Sequence, residues 1–292
     1  MALDRTEERA YAKLNISLDV TDRRSDGYHD MAMVMQTVSL HDGVRIALRD
    51  GGRIRVRSNL SFLPGDERNL AARAALRYLA AIGRAEQGLL IELDKRVPVG
   101  AGMGGGSADA AAVLRGLNRI YGGVLSAAEL ETLAAQVGSD VPFCVRGGTV
   151  LATGRGEQLE NLPPMPDCAF LVCKPGFSIS TPELFRRLDR VGMRCHPDTA
   201  GIVAALSAGD LDGLCRRMYN VFEDVDDRRM RTVAEIKGRL LDCGALAAIM
   251  TGTGSAVFGV FRPGELPDGA AEALRAEYGF CEPAVSVGPL LT

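Results

Sequence analysis

Apolar and polar positions alternate over residues 10–20, with Leu14, Ile16, Leu18 and Val20 on one face and Lys13, Asn15 and Ser17 on the other. That period predicts a strand. Residues 1–10 read as a frayed, charged leader, and Asp26-Gly27-Tyr28-His29 reads as a turn. Residues 31–40 are apolar and β-like. Residues 44–48 and 53–57 read as a hairpin closed at Asp50-Gly51-Gly52. A helical period predicts a helix over 69–82, and 88–93 reads as the next strand. A helix over 126–136 and strands between 143 and 152 complete the first half. The segment Leu162-Pro163-Pro164-Met165-Pro166-Asp167 is the best boundary, which divides the chain into domains 1–162 and 163–292. Beyond it, strands are predicted over 169–173, 247–250, 256–261 and 283–287. Helices are predicted from Thr181-Pro182-Glu183 onward and over 200–206, 211–219, 228–241 and 270–278. Strands and helices mix in both halves, so the class is α+β.

Between the strand at 88–93 and a run of alanines lies the loop that dominates this pattern. Gly100, Gly102, Gly104, Gly105 and Gly106 fall within seven residues and are followed by Ser107. Glycine lets the backbone take positive φ and lets a ligand approach it. Ser107 reads as an N-cap, and the alanines after it favour a helix. The free N–H groups of such a helix start suit an anion, above all a phosphate. A Walker loop needs a lysine before the serine, and Gly106 stands there. Gly100, Gly102 and Gly105 satisfy the dinucleotide spacing, but no second strand ending in an acid follows about 20 residues on. The protein-kinase signatures His-Arg-Asp and Asp-Phe-Gly do not occur.

Composition narrows the class. The chain has 292 residues, 47% hydrophobic, with a net charge of −3, so phosphate binding has to come from local geometry rather than from a basic surface. No nucleic-acid or membrane partner is expected. Seven scattered cysteines without a Cys-x-x-Cys pair read as free thiols in a reducing cytoplasm, and three histidines make a zinc site improbable on count. The start of the chain lacks an apolar signal core, and no apolar run approaches 18 residues. Beside the glycine loop, three polar features stand out. They are Lys13 within an apolar strand, Asp140 in a Gly- and Pro-bounded turn, and the second small glycine loop Thr251-Gly252-Thr253-Gly254. A carboxylate and a lysine are what transfer of a phosphoryl group to a hydroxyl needs beyond phosphate donors. Each also has a plainer reading: Lys13 as a snorkelling lysine, Asp140 as a turn cap, and 251–255 as a tight connection between strands. Asp109 reads as favourable charge near a helix N-terminus. Arg53, Arg55 and Arg57 read as a solvated strand face.

Taken in order, Ala12-Lys13-Leu14-Asn15, Arg24-Ser25-Asp26-Gly27-Tyr28-His29, the 97–112 loop, Gly138-Ser139-Asp140-Val141-Pro142-Phe143 and Thr251-Gly252-Thr253-Gly254 resemble the GHMP kinases (galactose, homoserine, mevalonate and phosphomevalonate kinases). The resemblance spreads over nearly the whole chain. It implies an N-terminal nucleotide-binding domain like ribosomal protein S5 and a C-terminal ferredoxin-like α/β domain. It also implies an ATP- and Mg²⁺-dependent small-molecule kinase. The Asp-Gly-Tyr-His and Lys-Leu-Asn elements narrow the expected substrate to a CDP-linked polyol of non-mevalonate isoprenoid biosynthesis, phosphorylated on a tertiary hydroxyl.

By position, the resemblance makes Asp140 the base and Lys13 the group that keeps it ionised and steadies developing charge. Pro98, Gly100, Gly102, Gly104, Gly105, Gly106 and Ser107 would wrap the ATP phosphates, with Ser107 near Mg²⁺. Asn69, Leu70 and Lys95 fall on the adenosine side. Asn15, Tyr28, His29, Asp140, Thr181 and Phe185 fall on the substrate side, where aromatic faces and a histidine suit a cytosine ring. Met103 and Val99 depart from the residues common in this loop, away from the chemistry. The alternatives are another GHMP kinase, acting on homoserine or a mevalonate-type substrate, or a non-catalytic nucleotide-binding regulator. The chain is expected to act as a monomer or homodimer.

Overall fold

The computed structural model describes residues 4–193 and 195–291. Its first sheet is built around β1 (Arg5–Arg23) and β2 (His29–Arg49), which pair antiparallel along their length. The other edge of β2 is shared. Its first half pairs with β5 (Thr149–Gly154) and its second half with β4 (Gly88–Asp94), while β3 (Ile54–Ser58) adds parallel to β4 and β6 (Gln158–Asn161) to β5. Residues 5–10 thus belong to β1 and are not a leader; residues 1–3 lie outside the described residues. The expected hairpin at 44–57 is also corrected. Residues 44–48 continue β2, and β4 comes between them and β3, because the apolar β4 is buried only with a partner on each edge.

The alternation in β1 is interrupted as well. Register shifts between Tyr11 and Lys13 and between Asn15 and Ser17 mark bulges. Leu14 and Ile16 consequently join one apolar cluster and Leu18 and Val20 another, so the four do not share a face. Lys13, Asn15 and Ser17, the expected polar face, are buried too.

Helix α1 (Leu70–Ala81) starts on the side chain of Asn69, which accepts from the Ala71 amide at 3.0 Å. Helix α2 (Gly105–Ile120) packs its alanine-rich flank on β1 and α1. Ser126 opens α3 (Ala127–Ala135) with a reciprocal capping box to Glu129. Residues 143–146, expected as strand, belong instead to the short α4 (Val141–Arg146): Pro142 suits a first helical turn, and Asp140 stands immediately before it.

The second sheet has β7 (Ala169–Lys174), β8 (Ala247–Met250), β9 (Val257–Phe261) and β10 (Phe280–Val285) in the order β10-β7-β9-β8, all antiparallel. Helices α5 (Thr181–Val191), α6 (Thr199–Ala208), α7 (Leu211–Cys215) and α8 (Arg229–Asp242) lie between β7 and β8, and α9 (Ala270–Tyr278) precedes β10. This is a ferredoxin-like arrangement with extra helices in its first crossover. The fold is α+β throughout, and we propose its division at 162/163, between the last strand of one sheet and the first of the other. Cys173 and Cys281 stand directly opposite on β7 and β10, with Cα atoms 4.2 Å apart, and are joined as a disulfide. The reading of all seven cysteines as free thiols is therefore corrected at that pair. Among the described residues no helix is long and apolar enough to cross a membrane.

Candidate active site

The glycine loop leaves β4 and reverses into α2. Gly104, at φ 71°, is the residue before the helix, so Ser107 is its third residue rather than its cap. The left-handed turn needed there is cheap only for glycine, and the helix accordingly begins two residues before the serine. The first intrahelical bond runs from the Ala108 amide to the Gly104 carbonyl at 2.8 Å. The amides of Gly105, Gly106 and Ser107 precede it and have no intrahelical acceptor. They face a cavity of about 340 Å³ whose walls include Asn69, Leu70, Lys95, Pro98, Gly100, Gly102, Gly104, Gly105, Gly106 and Ser107. All the residues expected on the nucleotide side thus meet in one place.

Asp109 behaves differently from expectation, and Lys95 is the reason. Lys95 is buried and its ammonium pairs with both Asp42 and Asp109. Burial works against its charge, but the two carboxylates outweigh it and raise its pKa. Asp109 is no exposed dipole charge. Burial, with Asp42 nearby, pushes its carboxyl up to about 7 against the pull of Lys95. Asp42 also accepts from the amides of Arg96 and Val97 at 2.5 and 2.8 Å, which ties down the entry to the loop. No sequence pattern marks Asp42. Its partners lie more than 50 residues away in the chain.

A second cavity, of about 630 Å³, shares Gly100, Gly102 and Gly104 with the first. Lys13, Tyr28, His29, Asp140, Thr181 and Phe185 line it. Asp140 makes no side-chain cap bond to α4, so the plainer reading of it as a turn cap does not hold. Its carboxylate and the Lys13 ammonium face the same cavity, yet no ion pair joins them; Lys13 Nζ donates to Asn15 Oδ1 at 2.5 Å. Asn15 is fully buried behind Lys13 and lines neither cavity, so it is placed as a support for the lysine. The Cys144 thiol beneath them is pushed up to about 12, by burial first and then by the Asp140 charge.

The Thr251–Gly254 loop closes the site from the second sheet. Thr251 Oγ1 accepts from the Asn15 amide at 3.0 Å and donates to the Gly102 carbonyl at 3.3 Å. Thr253 bonds Thr181 at 2.7 Å, and Asn220 Nδ2 donates to the Met250 and Gly252 carbonyls at 2.7 and 2.8 Å. The loop is therefore a clamp on the glycine loop and not merely a connection between strands.

Phe185 stacks on His29 at 4.7 Å and meets Phe222 edge-on at 4.8 Å. Tyr28 is exposed, with the Arg155 guanidinium 3.9 Å over its ring. Arg23, Arg155 and Arg186 give the cavity a cationic side that the sequence reading missed. Lying in three separate segments of the chain, they form no motif.

A cavity of free helix-start amides, joined to a second that holds a carboxylate and an ammonium, is suited to phosphoryl transfer between two small molecules. Among the described residues no group of three acidic, histidine or cysteine side chains could hold a metal. Ser107, in the first turn of α2, lines the first cavity.

Comparison with known proteins agrees. Residues 69–148 match the family described as GHMP kinases N terminal domain, and residues 202–279 match GHMP kinases C terminal. The chain is 42% identical over 280 residues to 4-diphosphocytidyl-2-C-methyl-D-erythritol kinase of Listeria monocytogenes serotype 4a, covering 96% of this chain and 94% of that protein. It is 41% identical to the Bacillus subtilis protein of that name, covering 96% and 95%. A crystal structure of 4-(cytidine 5'-diphospho)-2C-methyl-D-erythritol kinase superposes with a TM-score of 0.81 at 34% identity, covering 97% of this chain and all of that one. Homoserine kinase from Cytophaga hutchinsonii shares the fold, with a TM-score of 0.76 at 22% identity over the whole of this chain and 97% of that one. By both halves of its sequence and by its fold, the chain belongs to the GHMP kinases.

Proposed function

We propose that this kinase transfers the γ-phosphoryl group of ATP to the tertiary 2-hydroxyl of 4-diphosphocytidyl-2-C-methyl-D-erythritol. The observation that carries the reading is the wall of Gly100, Gly102 and Gly104 common to the two cavities, with Lys13 and Asp140 on the acceptor side of it. ATP phosphates fit the amides of Gly105, Gly106 and Ser107. The acceptor hydroxyl lies against Asp140, which takes its proton, and Lys13 steadies the alkoxide as it forms. Transfer is direct and in line, with no phosphorylated enzyme intermediate. Mg²⁺ bound with ATP would supply charge neutralisation at the phosphates, and Ser107 Oγ is the side-chain ligand this chain would offer it.

Substrate choice follows from the cavity. A homoserine or mevalonate-type acceptor carries neither a base nor a diphosphate. It would leave Tyr28, His29 and Phe185 without a ring to hold and Arg23, Arg155 and Arg186 without an anion. Every residue named lies in one chain, so a monomer suffices and a homodimer would carry two separate sites. ATP consumption is the test, measured with Mg²⁺ against CDP-methylerythritol, mevalonate, phosphomevalonate, homoserine and galactose. Turnover confined to the CDP-linked substrate is expected. Turnover of another acceptor instead would discard the cytidyl reading while keeping the phosphoryl-transfer machinery, and ATP binding without any turnover would favour a regulator.

A further inference from the structure

Asp189 lies one helical turn beyond Phe185 on α5, so both side chains stand on the face that lines the acceptor cavity. Its Oδ1 is 2.7 Å from His29 Nε2, and its Oδ2 is 3.9 Å from the Arg23 guanidinium. The imidazole is held on three counts. It is stacked on Phe185, its side chain is only 9% exposed, and it is bonded to a carboxylate from the opposite half of the molecule.

An ionised carboxylate only accepts hydrogen bonds, so Nε2 carries the hydrogen in this pair. A neutral ring then presents Nδ1 as a bare acceptor. Nδ1 has no hydrogen-bond partner among the described residues, and it is not one of the polar atoms sealed from solvent without one. It is therefore accessible to solvent, and His29 lines the acceptor cavity. Cytosine and uracil differ at one ring position in the sense of their hydrogen bond: cytosine offers an amino donor, uracil a carbonyl acceptor. An acceptor at Nδ1 matches the first and repels the second.

We propose that Asp189 is a specificity-determining positioning residue, which selects cytidine-linked over uridine-linked acceptors by fixing the Nε2–H tautomer of His29. This rests on the functional reading above. Asp189→Asn keeps the shape of the side chain, but its amide can donate to Nε2 and release the hydrogen to Nδ1. Asp189→Glu keeps an acceptor-only partner.

The experiment compares kcat/KM for the cytidine-linked substrate and its uridine-linked counterpart at pH 8. The wild-type enzyme is expected to prefer the cytidine form by about 10²-fold or more. Asp189→Asn is expected to shrink that preference about tenfold or more, through KM for the acceptor and not through KM for ATP. Asp189→Glu is expected to retain it. A purely structural role for Asp189 would lower both activities and leave their ratio alone, and that outcome overturns the proposal. Nitrogen-15 spectra of the ligand-free protein give a check independent of turnover, made simple by there being three histidines in the chain. The His29 signal should report a protonated Nε2 in the wild type and a shift toward protonated Nδ1 in Asp189→Asn; a protonated Nδ1 in the wild type refutes the mechanism. If the wild type phosphorylates neither nucleotide-linked substrate, the functional reading falls and this inference with it. If it phosphorylates the cytidine form and the ratio ignores Asp189→Asn, this inference alone falls.

Discussion

Replacing Gly102 by alanine tests the idea that the two glycine loops form one fitted unit. Gly102 has φ 76°, and a Cβ built there would fall well inside contact distance of the Thr251 carbonyl oxygen and 3.1 Å from the Gly254 amide nitrogen. Two costs add. The left-handed backbone costs a residue with a Cβ about 1–2 kcal/mol. Relieving an overpacked contact costs about 1–3 kcal/mol more, and here the obstructing atoms are backbone, which cannot rotate away. The total of roughly 2–5 kcal/mol is a large part of an ordinary domain's stability, and at about 2–4 °C per kcal/mol it lowers Tm by at least about 4 °C. Gly83→Ala separates the costs, because Gly83 has φ 68° with open space around its Cβ position and so measures the backbone cost alone. Thermal melts of the two variants, with steady-state kinetics of Gly102→Ala, make the assay. Since Gly102 borders both cavities, a displaced loop should lower kcat/KM for both substrates, by about 10²-fold for a misplacement near 1 Å. Equal melting temperatures for the two variants, or near-normal kinetics in Gly102→Ala, would refute the fitted-clamp argument.

Other variants address the chemistry and the buried charges. Asp140→Asn should lower kcat by about 10²–10⁴-fold while KM for ATP and the melting temperature stay put; a variant with full turnover would remove Asp140 as the base. Ser107→Ala should raise KM for ATP about tenfold, the worth of one hydrogen bond near charge, and titrating Mg²⁺ should expose the same defect. For Asp109, the folded pKa of about 7 lies above the value of 3.8 expected when unfolded, so its stabilising contribution is complete below pH 4 and fades as pH rises through 7. Asp109→Asn should flatten the loss of stability between pH 5 and pH 8, an effect on the order of a few kcal/mol at most, and parallel urea midpoints for wild type and variant across that range would contradict it.

Much of the outline was legible before any fold was seen, because it depends on local rules. Helical periodicity places α1 and α3, and five close-set glycines before an alanine run announce a phosphate loop. The family resemblance then names Lys13, Asp140, Tyr28, His29, Thr181 and Phe185, and the fold brings all six to one cavity.

What the chain alone left open depends on distant partners. Alternation predicts that 14, 16, 18 and 20 share a face, but bulges in β1 divide them, since a bulge is set by the paired strand and leaves no mark on the period. A hairpin at 44–57 is the short-range solution, and β4, more than 30 residues on, displaces it by offering β2 and β3 a better-buried partner. Asn15 looks like a substrate residue in one dimension and becomes a buried prop for Lys13 in three. Asp109 looks like a helix-dipole charge until Lys95 and Asp42 are folded against it. Asp189 carries no signal beyond its helical spacing from Phe185; only the closure of α5 over the 28–29 turn gives it a histidine to hold. Local propensity and motif spacing determined the elements and the chemistry they contain. Long-range pairing and burial decided which side chains face the substrates and which support those that do.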